Sequence, residues 1–187
     1  MIHLLLAAVL HYDVLVSAGH EGRPQSCAYF HHKCNMGATG EQAWNTIVAD
    51  AATRALRARG YSVAREPADF AGRFDVRTAV FIHFDGADPA CTTGASIGYH
   101  TTASQLLAEG WRKAYAAQFP FTFMRDNFTK NLSDYYGFRQ VDASDGAMVV
   151  EFGEISCPKQ KAWLAPRLTQ LGELLAGYLA GVMGGSR

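Results

Sequence analysis

The sequence predicts an α/β fold: a mixed or mostly parallel sheet with helices on both faces, forming a single three-layer domain. Three observations predict it. Short apolar, β-branched runs alternate with segments of helical periodicity; several of these runs end in a histidine or an acid; and no repeat, low-complexity tract or linker divides the 187 residues. With 49% of the chain apolar, one core spanning residues 1–187 is the expected organisation.

The elements follow in order. Met1 to Leu10 is apolar except for His3 and has neither a basic n-region nor a small-x-small cleavage site, so it reads as structural rather than as an export signal. Val14-Leu15-Val16 reads as a buried strand closing in the turn Ser17-Ala18-Gly19-His20. A loop carrying Cys27, His31, His32 and Cys34 runs to Gly40. Thr39-Gly40-Glu41-Gln42 reads as a capping box, opening a helix whose inner face is Trp44, Ile47, Val48, Ala51 and Ala55 and whose stop is Gly60. Glu41 then lies in the first turn.

Tyr61 to Ala64 reads as a second strand, and Thr78 to Ile82 as a third that ends in His83-Phe84-Asp85-Gly86. A strand over Ala95 to Tyr99 leads to a helix from Thr102 to Gln118 that turns Leu106, Leu107, Trp111 and Ala114 inward. A shorter helix is expected from Asn127 to Tyr136, stopped by Gly137. Ala147 to Phe152 is another buried strand and carries Glu151; Pro158 starts a helix, and an amphipathic stretch runs from Pro166 to Met183.

Composition excludes more than it identifies. Lys plus Arg and Asp plus Glu stand at 17 each, so no net field favours nucleic acid or an anionic membrane surface. No apolar run approaches the ~20 residues of a membrane span. Neither partner is expected, and a monomer is. Four cysteines, none in a CxxC pair, are too few for a disulfide-built miniprotein and leave the redox compartment and any pairing open.

The chemistry suggested by the residues starts from topology. In open α/β sheets the ends of neighbouring strands line one crevice, so His20, His83 and Glu151 can converge there, with Glu41 entering from a helix start. Two imidazoles and one carboxylate form a catalytic zinc set with a position open for water, which leaves the second carboxylate free to act on that water. Singly, each histidine is more ordinarily a hydrogen-bonded structural residue, and spacing alone does not decide.

Four segments in the same order carry a resemblance that spans most of the chain. Val14 to His20 resembles the first strand and "AGH" turn of the zinc-dependent N-acetylmuramoyl-L-alanine amidases of the AmiC-like class. Glu41, with Asn45 one turn later and Arg59-Gly60-Tyr61-Ser62-Val63 beyond, is similar to that family's second metal-binding segment. Phe81 to Ala87 resembles its "SIHANA" strand end, and Val149 to Pro158 its "VEVGFLSNP" segment. The resemblance implies a phosphorylase/hydrolase-like α/β fold, zinc held by His20, Glu41 and His83, and Glu151 as general acid/base. It implies peptidoglycan as partner, cut at the amide joining N-acetylmuramic acid to the L-alanine of the stem peptide.

Departures accompany it. Ser17 stands where the family commonly has Asp, Glu21 replaces the glycine after the histidine, and the segment from His20 to Glu41 is longer than usual. Ser17 would orient His20 with less charge than an acid. Glu21 is a rival third ligand, disfavoured because it adjoins His20. Glu154 is expected to be structural, Arg65 solvated, and Trp111, Trp163, Tyr135 and Tyr136 core rather than carbohydrate platforms. Two other functions stay in view: a zinc amidohydrolase or carboxypeptidase acting on a small peptide or N-acyl amino acid, and a catalytically silent peptidoglycan- or metal-binding domain.

Overall fold

The computed structural model describes residues 9–23 and 35–185; residues 1–8 and the loop with Cys27, His31, His32 and Cys34 lie outside them. The first β-branched run extends into β1 (Val9–Ala18), and the chain continues through α1 (Glu41–Ala58), β2 (Val63–Glu66), β3 (Arg73–Asp85) and β4 (Ser96–Gly98). Then come α2 (Thr102–Ala116), α3 (Lys130–Ser133), a 3-10 turn (Tyr136–Arg139), β5 (Val141–Glu154), α4 (Pro158–Leu164) and α5 (Leu168–Gly185). The sheet order is β2-β1-β3-β5-β4, parallel except for the antiparallel β4–β5 pair at one edge. This is the mixed, mostly parallel α/β sheet that the alternation of runs predicts.

Side chains on a strand alternate between faces, and the two faces are covered unequally. Val14 and Val16 of β1, Val80 and Ile82 of β3, and Met148 and Val150 of β5 pack with Val48 and Leu56 of α1, Trp111 and Tyr115 of α2, and Leu171, Leu175 and Leu179 of α5. Leu15, Ala79, Phe81 and Val149 point the other way, against Phe70, Phe74 and Leu132, with Phe138 of the 3-10 turn packed on them. The long helices thus share one face. On the other, short helical turns and loops leave room at the C-terminal ends of the strands.

Several local expectations give way to packing. Leu106 is 70% exposed and Ile47 42% exposed, although both share the helical spacing of buried neighbours. Periodicity fixes the direction of an apolar stripe, not its width. The helix expected from Asn127 to Tyr136 is reduced to α3 and the 3-10 turn, because Asn127 takes φ 52 and spends its Oδ1 on the Tyr99 backbone N–H. The capping box is also replaced: Gly40, at φ 91, is the N-cap of α1 and Thr39 makes no cap bond there. Gly60 ends that helix as expected, with φ 87 and its N–H donating to the Arg57 carbonyl.

The segment after β3 is tied down twice. Cys91 and Cys157 form a disulfide that bridges it to the start of α4. Beside it, buried Glu154 accepts from the backbone N–H groups of Cys91 and Thr93 and from the Thr93 and Ser156 hydroxyls, the structural role expected of it.

Candidate metal and acid/base site

His20 sits in the turn after β1 with φ 62, a conformation that costs energy in a non-glycine residue and persists only where surroundings impose it. Its Nδ1 is 2.7 Å from the Asn35 carbonyl and its Nε2 is 3.2 Å from Glu41 Oε1. His83, the eleventh residue of β3, turns Nδ1 to the same oxygen at 3.0 Å. Glu41 is steadied from behind, since Ala38 N–H donates to Oε2 at 2.8 Å and Phe84 N–H to Oε1 at 3.3 Å. Asn45, one turn along α1, donates to the Gly19 carbonyl at 2.8 Å and to Glu41 Oε1 at 3.3 Å, coupling helix to turn. All three side chains are buried, and one ligand atom from each lies within 4.8 Å of the others.

Two glycines make this approach possible. A Cβ on Gly19 would lie 2.2 Å from the His83 ring, and one on Gly37, at φ 71, would lie 2.0 Å from Glu41 Oε2. Neither contact is sterically allowed, so the site is shaped by absent side chains as much as by present ones.

Glu151 lies beside His83 across the parallel β3–β5 pair, on the same face of the sheet. Its Oε2 is covered and has no hydrogen-bond partner among the described residues. Burial, then the charges of Glu41 and Asp85, push its carboxyl well above the usual carboxylate range. Both glutamates line a cavity of about 840 Å³ that also takes in His20, His83, Arg23 and Tyr135.

The proton positions on the two rings decide whether a cation suits the histidines. A backbone carbonyl can only accept, so His20 carries its proton on Nδ1, toward Asn35, and presents the Nε2 lone pair to Glu41. Arg23 Nη1, 3.3 Å from the same Nδ1, donates to the Asn35 carbonyl instead, at 2.9 Å. A lone pair facing a carboxylate oxygen requires a positive charge between them, either a proton or a metal ion. Two imidazoles and a carboxylate, all oxygen or nitrogen donors, are a set that suits zinc. The residues fit a metal ion.

Without metal, the electrostatics set a pH response. Burial lowers the His83 pKa from its ordinary 6.5 despite the opposing bond from Glu41. Burial alone would raise Glu41; where the His20 and His83 rings turn a proton toward it in place of a metal ion, their bonds hold its carboxyl well below the ordinary 4.5. Both folded values are depressed, so both groups lend stability above their unfolded pKa and lose it as pH falls toward the folded one. The metal-free protein is therefore expected to melt at progressively lower temperature as pH falls below 6.5 and on through 4.5, with the hydrogen-bonded His83 and Glu41 titrating as a pair. Melting curves of chelator-treated protein check this, and a flat profile from neutrality down through both values would contradict it.

Other candidates are placed elsewhere. Glu21 is turned away, accepting from Arg65 Nη1 at 2.7 Å and from the Thr46 hydroxyl, so it does not compete with Glu41. Arg65 is held by Glu21 and Asp50 rather than left solvated. Ser17 donates to the Pro67 carbonyl and does not orient His20; the Asn35 carbonyl takes that place. Trp111 is core, and Trp163 is half-buried at the edge of the same core, against Phe119 and Phe121. Tyr135 packs on Phe81 as expected, yet it also lines the cavity and its hydroxyl lies 3.1 Å from His83 Nε2. Sequence reasoning passed over Arg23, Asn35 and this hydroxyl. The only available signal was an arginine three residues beyond His20, which periodicity cannot distinguish from a solvated charge.

No family model matches the chain, and no curated protein matches it in sequence. Among solved structures it is similar to the catalytic domain of CwlV, an N-acetylmuramoyl-L-alanine amidase from Bacillus (Paenibacillus) polymyxa var. colistinus. The TM-score is 0.69 at 16% identity, covering 94% of this chain and 99% of that one. It is also similar to the N-acetylmuramoyl-L-alanine amidase AmiC2 of Nostoc punctiforme, with TM-score 0.63, 17% identity, and coverage of 96% of this chain and 98% of that one. Cwp6 from Clostridium difficile gives TM-score 0.67 at 16% identity over 94% of this chain, which spans only 29% of that protein. The chain thus has the fold of amidase catalytic domains, as its motifs imply. At identities of 16–17% the likeness carries the fold alone.

Proposed function

We propose that the chain is a zinc-dependent N-acetylmuramoyl-L-alanine amidase, hydrolysing the amide between N-acetylmuramic acid and the L-alanine of the stem peptide in peptidoglycan. The observation that carries the reading is the convergence of His20 Nε2, His83 Nδ1 and Glu41 Oε1, with Glu151 next to His83 on the sheet. These three side chains would hold the metal. Bound there, zinc lowers the pKa of water toward ~7 and polarises the amide carbonyl.

The chain's own residues do the rest. Glu41 neutralises charge, with its second oxygen fixed by the Ala38 N–H so that the first faces the imidazoles. Glu151, on the cavity wall with an unpartnered oxygen, would be ionised with a dication held beside Glu41 to offset the charge that raises its pKa, and would then take the proton of the attacking water and pass it to the departing alanine amine. The Gly86–Asp88 segment and the Phe128–Tyr136 segment line the cavity where the glycan and the peptide would lie.

The test joins two measurements on purified protein: metal content, and soluble peptide released from purified peptidoglycan with and without a chelator. About one zinc per chain and chelator-sensitive release of peptides bearing a free L-alanine amine are expected. Zinc without release would turn the reading toward an amidohydrolase of small substrates, and absence of zinc would undo it.

A further inference from the structure

We propose that Tyr135, backed by Tyr136 and Arg23, is a positioning residue that fixes the His83 ring with its proton on Nε2 and its Nδ1 lone pair toward Glu41. The inference rests on the metal reading above and adds residues that reading does not need.

The Ala68 carbonyl can only accept, so the Tyr136 hydroxyl gives its proton to it. The Tyr136 oxygen is then left to accept, from the Tyr135 hydroxyl at 3.2 Å and from Arg23 Nη2 at 3.3 Å. With its only proton committed to Tyr136, Tyr135 has an oxygen that must accept, and the group facing it at 3.1 Å is His83 Nε2. The polarity set at a backbone carbonyl therefore travels through two phenols to the far side of the imidazole.

The same arginine serves the other ring. Arg23 Nη1 donates at 2.9 Å to the Asn35 carbonyl, which also takes the His20 Nδ1 proton at 2.7 Å. Two bonds of 3.0 Å to Asp69 lock the guanidinium in place. One guanidinium thus stands behind both imidazoles, acting through a carbonyl on one side and a tyrosine pair on the other. Metal-binding histidines ordinarily need such an outer partner on their second nitrogen. Here the partners are neutral, and the compensating acid, Asp69, bonds to the arginine rather than to either ring.

Tyr135→Phe isolates the hydroxyl, because the ring contacts with Phe81 at 4.9 Å and Phe138 at 5.9 Å need only the ring. Zinc affinity would be measured by competition with a chromophoric chelator, coordination by the visible absorption of the cobalt(II)-loaded protein, and folding by the melting temperature of the metal-free protein. We expect zinc affinity to fall by about 10- to 100-fold and the cobalt spectrum to change, with the metal-free melting temperature close to the parent's. Tyr136→Phe, which leaves the His83 contact but removes the directional constraint, should move both metal readouts the same way and carries the test if the first variant does not fold. Parental affinity and spectrum in a folded variant would overturn the proposal. A parent that binds no zinc would overturn the metal reading itself, and this role with it.

Discussion

Glu151→Gln is expected to lower kcat for peptide release by about 10²- to 10⁴-fold, the range for losing a positioned general acid/base, while bound zinc and KM stay near the parent's. Glutamine matches the carboxylate in shape but cannot take a proton from water. Glu151 lies outside the cluster of His20, Glu41 and His83, so the three proposed metal donors are untouched. The same substitution makes a second, independent prediction. Burial, Glu41 and Asp85 raise the Glu151 pKa, so ionising it in the metal-free protein costs stability as pH rises through the folded value. The metal-free glutamine variant should therefore melt no lower than the parent at neutral and alkaline pH. Unchanged turnover would remove Glu151 from the chemistry, and loss of zinc in the variant would mean that it acts as a ligand.

How much of this was legible in the sequence depends on what each residue's role requires. His20, His83 and Glu151 stood out as candidates because they follow or close β-branched runs, and Glu41 because Thr39-Gly40-Glu41-Gln42 punctuates a helix start, but only the four motifs in order singled them out together. These are local signals, and the parallel order of β1, β3 and β5 converts them into one site. What failed was non-local. Leu106 obeys the period of α2 yet is exposed, since the packing partners of that helix, not its own pattern, decide how wide a stripe is buried. Tyr135 and Tyr136 look like core residues because their rings are core; only the direction of their hydroxyls makes them part of the site. The support of His20 by the Asn35 carbonyl leaves no side-chain signature, because a backbone acceptor is the same for every residue type. Ser17 seemed to weaken the site only while the outer partner was assumed to be a side chain.

Saturating zinc is expected to raise the melting temperature far more than any surface change could. A ligand that binds only the folded chain stabilises it by about 4.1 kcal/mol at 1,000 times its dissociation constant, which corresponds to roughly 8–16 °C for a chain of this size. The metal-free site has reason to respond strongly, because His20 Nε2 and His83 Nδ1 crowd a single carboxylate oxygen and burial disfavours a proton on His83. A dication satisfies all three groups together. His83→Ala removes one donor and leaves Glu41 with a single imidazole, so both the zinc-dependent rise and peptide release should be lost in the same variant. Glu151→Gln should keep the full rise and lose only turnover. The two variants therefore separate holding the metal from using it, a separation that activity assays alone would miss. A parent whose melting temperature ignores zinc and chelator alike would show that the three side chains meet for structural reasons only.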